Sequence, residues 1–492
     1  MSEQPRLNSH PAQVPRLPSE VLRLVFINFC RHCCGEYEES FRVLPLPENT
    51  ATLYNLCLVS CFFRNVAQGI LHHSFDINLT HHEPENPWEK RLEPFLRTIT
   101  SRPDLARLVR AVFLPWRLIE SLDFDENKNA FDKCARSMGT SASKIYKLSQ
   151  RSEAPVPNKI EKAFFLGHPI SDDEREESYI PIVASELMTI TMAILPNLAH
   201  LGLVEDTDLH RRWNFDLSVP TLDALGITTL PLRTFENDYG MPKLLSRTKY
   251  LETLITSGRG EVHELPNLKG LHIRALDGNY ISTDSASPIF ETARNLATFS
   301  FTATGTPLSN VIECLNQPRF HATLESIRLD LRCHRDLDGA LQATSNLKLF
   351  TRLKKLFLPI AFIYRSRDVK LQTQSLASIL PPSIESLTLM EHETPTACGL
   401  LHKDLLRLIE KKPTLFPHLR EIISDSVQVC DEGLINVFGQ SGVALIHQEL
   451  PRSKWDYTGQ LFYDCEYRPW DAAREGCDME MPLPCELSDE DL

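Results

Sequence analysis

Residues 17–30, LPSEVLRLVFINFC, carry apolar positions at helical spacing. Val21, Leu22, Val25, Phe26 and Phe29 fall at i, i+1, i+4, i+5 and i+8, one face of a 3.6-residue period. Pro18 suits the first position of a helix, where a missing N–H costs nothing, and Glu20 in the first turn complements the helix dipole. A second pattern follows in TLYNLCLVSCFFRNVAQGIL (52–71), with Thr52 as its cap and Leu53, Leu56, Val59 and Phe63 at three- and four-residue steps. Two short helices of this kind cannot cover all of that surface by packing on each other. Each large apolar side chain left in water forgoes roughly 1.5–3 kcal/mol. The surplus must be covered by the rest of the chain or by a partner.

From about residue 90 the period changes. Apolar residues recur as L-x-x-L-x-L, most clearly in LAHLGL (198–203), LKGLHI (268–273), LATFSF (296–301), LESIRL (324–329), LKKLFL (353–358) and IESLTL (384–389). Weaker copies stand at 222–227, 251–256 and 419–424, and LVRAVFLPW (108–116) reads as an earlier strand. The starts at 268, 296, 324, 353 and 384 lie 28 to 31 residues apart. One short strand and one return per unit is the pattern of leucine-rich repeats, whose period is about 20–29 residues. On each strand the middle leucines are expected to point inward and the residues between them outward. Helical patterns intervene at 93–99, 180–195, 285–295, 372–380 and 401–414, and HSFDINL (73–79) reads as the exit from the first helices into a strand. The polar stretch 123–159 reads as an insertion or flexible loop, and HPISDDEREES (168–178) as solvated acidic surface. WDYTGQLFYDCEYRPW (455–470) is rich in aromatics and suits two strands capping the array; the last residues are acidic and poor in apolar side chains, a composition of disorder.

Composition narrows the function classes. The net charge is −13 and basic residues cluster no further than pairs such as Lys354-Lys355, so no nucleic-acid partner is expected. The most apolar helical stretch, 183–195, contains Glu186 and stops at Pro196, too short for a bilayer. The first residues lack a secretory apolar core, so the expected location is cytoplasmic or nuclear. Phosphate-binding glycine loops, H-E-x-x-H and G-x-S-x-G are all missing from the sequence, so it is read as no enzyme, with no cofactor.

The 13 cysteines have no regular spacing. FCRHCCGEYEE holds one C-x-x-C, Cys30 to Cys33, with His32 inside it and Cys34 after it. A structural zinc site usually draws on two such pairs, and no second one exists; only His72, His73, His81 and His82 are nearby. The expectation is no metal: Cys30 ends the first helix on its buried side, and Cys33 and Cys34 are loop thiols.

The order Leu17-Pro18-x-Glu20-Val21-Leu22-x-x-Val25-Phe26, then Leu53-x-x-Leu56-x-Leu58-Val59-Ser60-x-x-Phe63-Arg64, resembles an F-box. With the spaced leucine strands behind it, the whole chain is similar to the large fungal class of F-box proteins with leucine-rich-like repeats. It departs from the F-box pattern in having Phe63 where the family usually has Trp, and about twenty residues between the first two helices. The resemblance implies that Leu17, Pro18, Val21, Leu22, Val25, Leu56, Val59 and Phe63 form a surface for the Skp adaptor, and through it for cullin and RING subunits of an SCF-type ubiquitin ligase.

The expected fold class is α/β: a small N-terminal helical F-box module followed by an irregular leucine-rich-repeat-like solenoid. The expected organisation is a disordered N-terminus (1–15), the helical module (16–75) with an inserted loop at 31–51, a linker (76–90), the repeats (91–454), a C-terminal cap (455–477) and an acidic disordered tail (478–492). The expected function is recruitment of an unknown protein substrate to the ligase, with the outward strand residues His272, Arg274, Ser300, Thr302, Arg328, Asp330, Thr388 and Met390 as its contacts. The alternative is a repeat scaffold that takes no part in ubiquitination.

Overall fold

A computed structural model describes residues 17–30, 32–33, 48–75, 92–115, 124–150, 159–169, 185–204, 218–237, 243–256, 264–275, 289–303, 311, 314–330, 344–360, 363–364, 375–390, 395–426 and 429–448. The fold is mixed α/β. Among these residues twelve parallel strands form one sheet, and their spatial order is their chain order. They are β1 (Ser74–Phe75), β2 (Ala111–Pro115), β3 (His200–Val204), β4 (Thr234–Asn237), β5 (Thr253–Thr256), β6 (Gly270–Ala275), β7 (Thr298–Ala303), β8 (Ser326–Asp330), β9 (Lys355–Pro359), β10 (Ser386–Met390), β11 (Glu421–Ser424) and β12 (Ala444–His447).

The L-x-x-L-x-L motif sets this geometry. Its first apolar residue lies in the turn just before the strand and is buried: Leu268, Leu296, Leu324, Leu353 and Ile384 all do this. The second and third point to one side of the sheet, as the period of two requires. Leu254, Leu271, Phe299, Ile327, Leu356, Leu387 and Ile422 stand in register across seven strands, and all are buried. Helices fill the space behind this apolar wall, including residues 185–194, Leu376–Ile379, Pro395–Leu415 and Glu432–Gln440, and their apolar faces join the strands in one continuous core. At the front edge, each strand is entered through a main-chain bond to the residue before its neighbour. Glu252 N–H donates to Arg233, Lys269 to Glu252, Lys354 to Glu325, Glu385 to Lys354 and Arg420 to Glu385. Opposite charges thus meet in sequence, with Lys269 Nζ 3.7 Å from Glu252 and Lys354 Nζ 3.1 Å from Glu325. Such cross-strand pairs help hold register, at about 0.2–1 kcal/mol each.

The readings of 222–227 as a strand and of 123–159 as a loop need correction. Residues 222–227 close the helix Val219–Ala224 and its turn, and the strand comes later, at β4. Pro220 at the start of that helix and Ser218, whose hydroxyl accepts from Thr221 N–H, favour the helix over the strand. The stretch read as a loop holds the helices Phe124–Ser137 and Ala142–Ser149, with Lys159–Leu166 after it. Phe124, Asn127, Phe131, Cys134 and Ala135 lie on one buried helical face amid a polar average, and Phe131 meets Phe164 edge-on with centroids 5.1 Å apart. Most of the acidic run 168–178, and all of 455–492, lie outside the described residues.

Ahead of the sheet stand α1 (Ser19–Phe26), α2 (Glu48–Val59) and α3 (Cys61–Leu71). The single pattern expected over 52–71 is two helices, broken at Ser60. Its extended backbone turns the chain and its hydroxyl accepts from Phe63 N–H at 3.1 Å, an N-cap. Thr52 lies inside α2 rather than capping it, because the helix begins four residues earlier. The expected loop 31–51 is shortened accordingly; of it, 31 and 34–47 lie outside the described residues. The three helices share a core of their own: Leu22, Phe26, Cys30, Leu53, Cys57, Ala67 and Ile70. Across it Phe26 meets Phe63 edge-on at 5.9 Å.

Candidate functional site

The α1 stripe splits between two faces. Leu22 (6% exposed) and Phe26 (4%) turn into the helical core, while Val21 (40%) and Val25 (46%) turn to solvent. With Leu17 and Leu24 they make an outer apolar face one helix long. Tyr54, Leu58 and Val59 on α2 and Phe62 on α3 are exposed as well. Eight of the fifteen exposed large apolar side chains among the described residues thus lie within residues 17–62. Scattered exposed leucines need no explanation, but a concentration of this kind on one small helical module is unusual.

Of the residues expected at the adaptor surface, Leu17, Pro18, Val21, Val25 and Val59 are exposed. Leu56 and Phe63 are half-buried against the helical core. Leu22 is a correction: it faces inward, because i+1 beside Val21 rotates it about 100° around the helix and onto the core. Leu24, Tyr54, Leu58 and Phe62 are exposed as well, though they are not among the expected residues. Apolar residues on both sides of α1 do not say which side meets its own chain.

The outward face of the sheet requires a larger correction. His272, Ser300, Thr302, Asp330 and Met390 do not stand in solvent; they are buried. Arg328 and Thr388 are partly exposed, and the side chain of Arg274 lies outside the described residues. Adjacent parallel strands stand only about 4.8 Å apart, so bulky side chains on this face cover small ones. The Phe113 ring lies over Gly202 and 4.6 Å from the His200 ring. His200 Nε2 in turn lies 3.5 Å from Glu236 Oε2, both buried. Further along, the Arg328 guanidinium sits 3.8 Å above the Phe357 ring and 3.2 Å from the Asp330 carboxylate. Besides Arg328 and Thr388, the partly or fully exposed positions of this face lie two residues earlier on several strands, at Thr253, Thr298, Ser326, Lys355 and Ser386.

The expectation of no metal site also meets a contrary arrangement. Cys30, His32, Cys33 and His73 bring one donor atom each to within 4.8 Å of one another. His73, forty residues away in the chain, completes the set. His72 does not join it: its Nδ1 lies 2.9 Å from the Gln68 carbonyl. His81, His82 and Cys34 lie outside the described residues. Burial pushes the Cys30 thiol up to about 12. Burial, followed by the nearby His32, pushes the His73 imidazole down to about 4, so that it is neutral at physiological pH.

Among the described residues no helix is long and apolar enough to cross a membrane. No protein-family model matches the chain, and neither does any curated protein.

Proposed function

We propose that the chain is a substrate-recruiting subunit of an SCF-type ubiquitin ligase. In this reading α1–α3 are an F-box module docking on the Skp adaptor, and the parallel strands with their returns are a leucine-rich-repeat-like solenoid that holds the substrate. The observation that carries it is the outer apolar face of α1, Leu17, Val21, Leu24 and Val25, opposite a helical core that is already filled without it. A face of this kind gains its burial from a partner. Leu58, Val59 and Phe62 extend the contact onto the following helices. The fit with the F-box pattern rests on Leu17-Pro18 at the start of α1, and on Val59 and Ser60 at the junction of α2 and α3. The reaction itself belongs to the associated ligase; this chain supplies proximity between a substrate lysine and the charged ubiquitin carrier. Substrate contact falls to the accessible positions of this face, the strand-entry row from Thr253 to Ser386 together with Arg328 and Thr388, rather than to the buried ones.

Co-purification with the Skp adaptor tests the reading. The wild-type chain is expected to retain it, and a Val25→Asp, Val59→Asp variant to lose it while keeping its circular dichroism and melting temperature. At each exposed position an aspartate costs the free chain little, and it leaves an unpaired charge in the buried contact. Equal retention by both, or by neither, refutes it.

A further inference from the structure

We propose that Cys30, His32, Cys33 and His73 form a closed structural zinc site that locks the helical module to the first strands of the sheet. Two sulfurs and two imidazole nitrogens are the donor set of tetrahedral zinc. With Zn–S near 2.3 Å and Zn–N near 2.1 Å, neighbouring donors in such a tetrahedron stand about 3.4–3.8 Å apart. Here Cys33 Sγ is 3.2 Å from His73 Nδ1, Cys30 Sγ is 3.9 Å from the same nitrogen, and Cys33 Sγ is 3.8 Å from His32 Nδ1. The His32 and His73 rings meet edge-on, centroids 5.7 Å apart. All four donor atoms lie within 4.8 Å of one another, so small side-chain shifts close the sphere.

The backbone explains the convergence. The helix α1 runs into a short 3-10 turn, Ile27–Phe29, and Cys30 leaves it with extended backbone, its N–H donating to the Ile27 carbonyl. That turn delivers Cys30 into the helical core and carries His32 and Cys33 past it. From the other side α3 ends at Leu71, His72 caps it, and His73 follows immediately before β1. The His73 carbonyl accepts from Arg110 N–H at 2.7 Å and from Ala111 N–H at 3.0 Å, the entry to β2. One ligand residue is thus bonded by its main chain to the sheet, while three follow α1. All four positions are filled by protein, so the site is structural and offers no open position for chemistry. Binding releases the two thiol protons to solvent and leaves two thiolates that balance the charge of the ion. The inference does not depend on what the outer face of α1 binds.

The test uses the full chain and zinc itself. After purification with zinc and under reductant, then desalting, elemental analysis is expected to find about one zinc per chain. His32→Gln and Cys33→Ser, outside the helical core, are expected to keep the wild-type circular dichroism and to weaken zinc retention against a chromogenic chelator by at least about tenfold. Cobalt in place of zinc is expected to show the intense visible bands of a tetrahedral ion and a thiolate charge-transfer band that shrinks in Cys33→Ser. Removing the metal from wild type is expected to lower its melting temperature, and not that of Cys33→Ser. Wild type without stoichiometric metal, variants that retain zinc as well as wild type, or an octahedral cobalt spectrum each overturn the proposal. So does a Cys30–Cys33 disulfide as the state of the chain under reductant.

Discussion

The Phe113 ring on β2 lies against Gly202 on β3, so closely that a Cβ at position 202 would collide with the ring and stand 2.7 Å from its Cε1. The ring cannot swing away freely, since it is buried and rests against His200. The middle of LAHLGL carries a glycine for this reason, where the other clear copies carry larger residues.

Gly202→Ala is therefore expected to destabilise the fold by about 1–3 kcal/mol, the usual cost of overpacking. Chemical denaturation measures it. Adding Phe113→Ala should make the pair less than additive, because the second change removes what the first collides with. Strict additivity would show that the two positions do not meet.

Glu186 sits in the helix 185–194 with its carboxyl buried beside Thr221, whose hydroxyl donates to it. Burial pushes it up to about 7 from 4.5, although the hydroxyls of Thr221 and Ser218 work in the opposite direction. The native state then holds a proton that the unfolded chain has released between those values. The stabilisation is complete below about pH 4.5 and is lost as pH rises through about 7, roughly 3 kcal/mol in all. Glu186→Gln keeps the hydrogen-bonding shape without the titration. Unfolding free energies at about pH 5 and pH 8 should fall more steeply for wild type than for the variant; parallel profiles would count against a raised pKa here.

Ser60→Ala removes the cap that separates α2 from α3, at an expected cost of about 1 kcal/mol, with Ser60→Asn near neutral. Amide hydrogen exchange localises the effect: the first turn of α3 should open faster while the sheet is unchanged. Equal protection in the two proteins would mean that the Phe63 N–H does not need the hydroxyl.

Val21 and Leu22 are neighbours in sequence and opposites in environment. Val21→Asp is expected to change the stability of the free chain by no more than about 0.5 kcal/mol, whereas Leu22→Asp should cost at least about 2 kcal/mol by burying a charge in the helical core. Thermal melts of the two variants decide it, and similar losses would contradict the division of α1 into an inner and an outer face.

The repeat was legible because strand and turn spacing are local. Leu268, Leu271 and Ile273 announce a buried turn and two inward strand positions, whatever lies beside them. The helices in 123–159 were not legible from composition, since Phe131 and Cys134 are few among charged neighbours and only their position on one face reveals them. His72 and His73 are equivalent as letters; the end of α3 sends one back to its own helix and the other to Cys33.

Local physics, then, determined where the chain turns, which leucines point inward, and that α1 carries more apolar surface than a small helical core can use. Tertiary structure alone decided which side of α1 stays uncovered, which outward strand residues are buried by their neighbours, and that His73 meets a cysteine pair forty residues before it. Those outcomes depend on what lies across a few ångströms of space between segments distant in sequence, and no period along the chain encodes that distance.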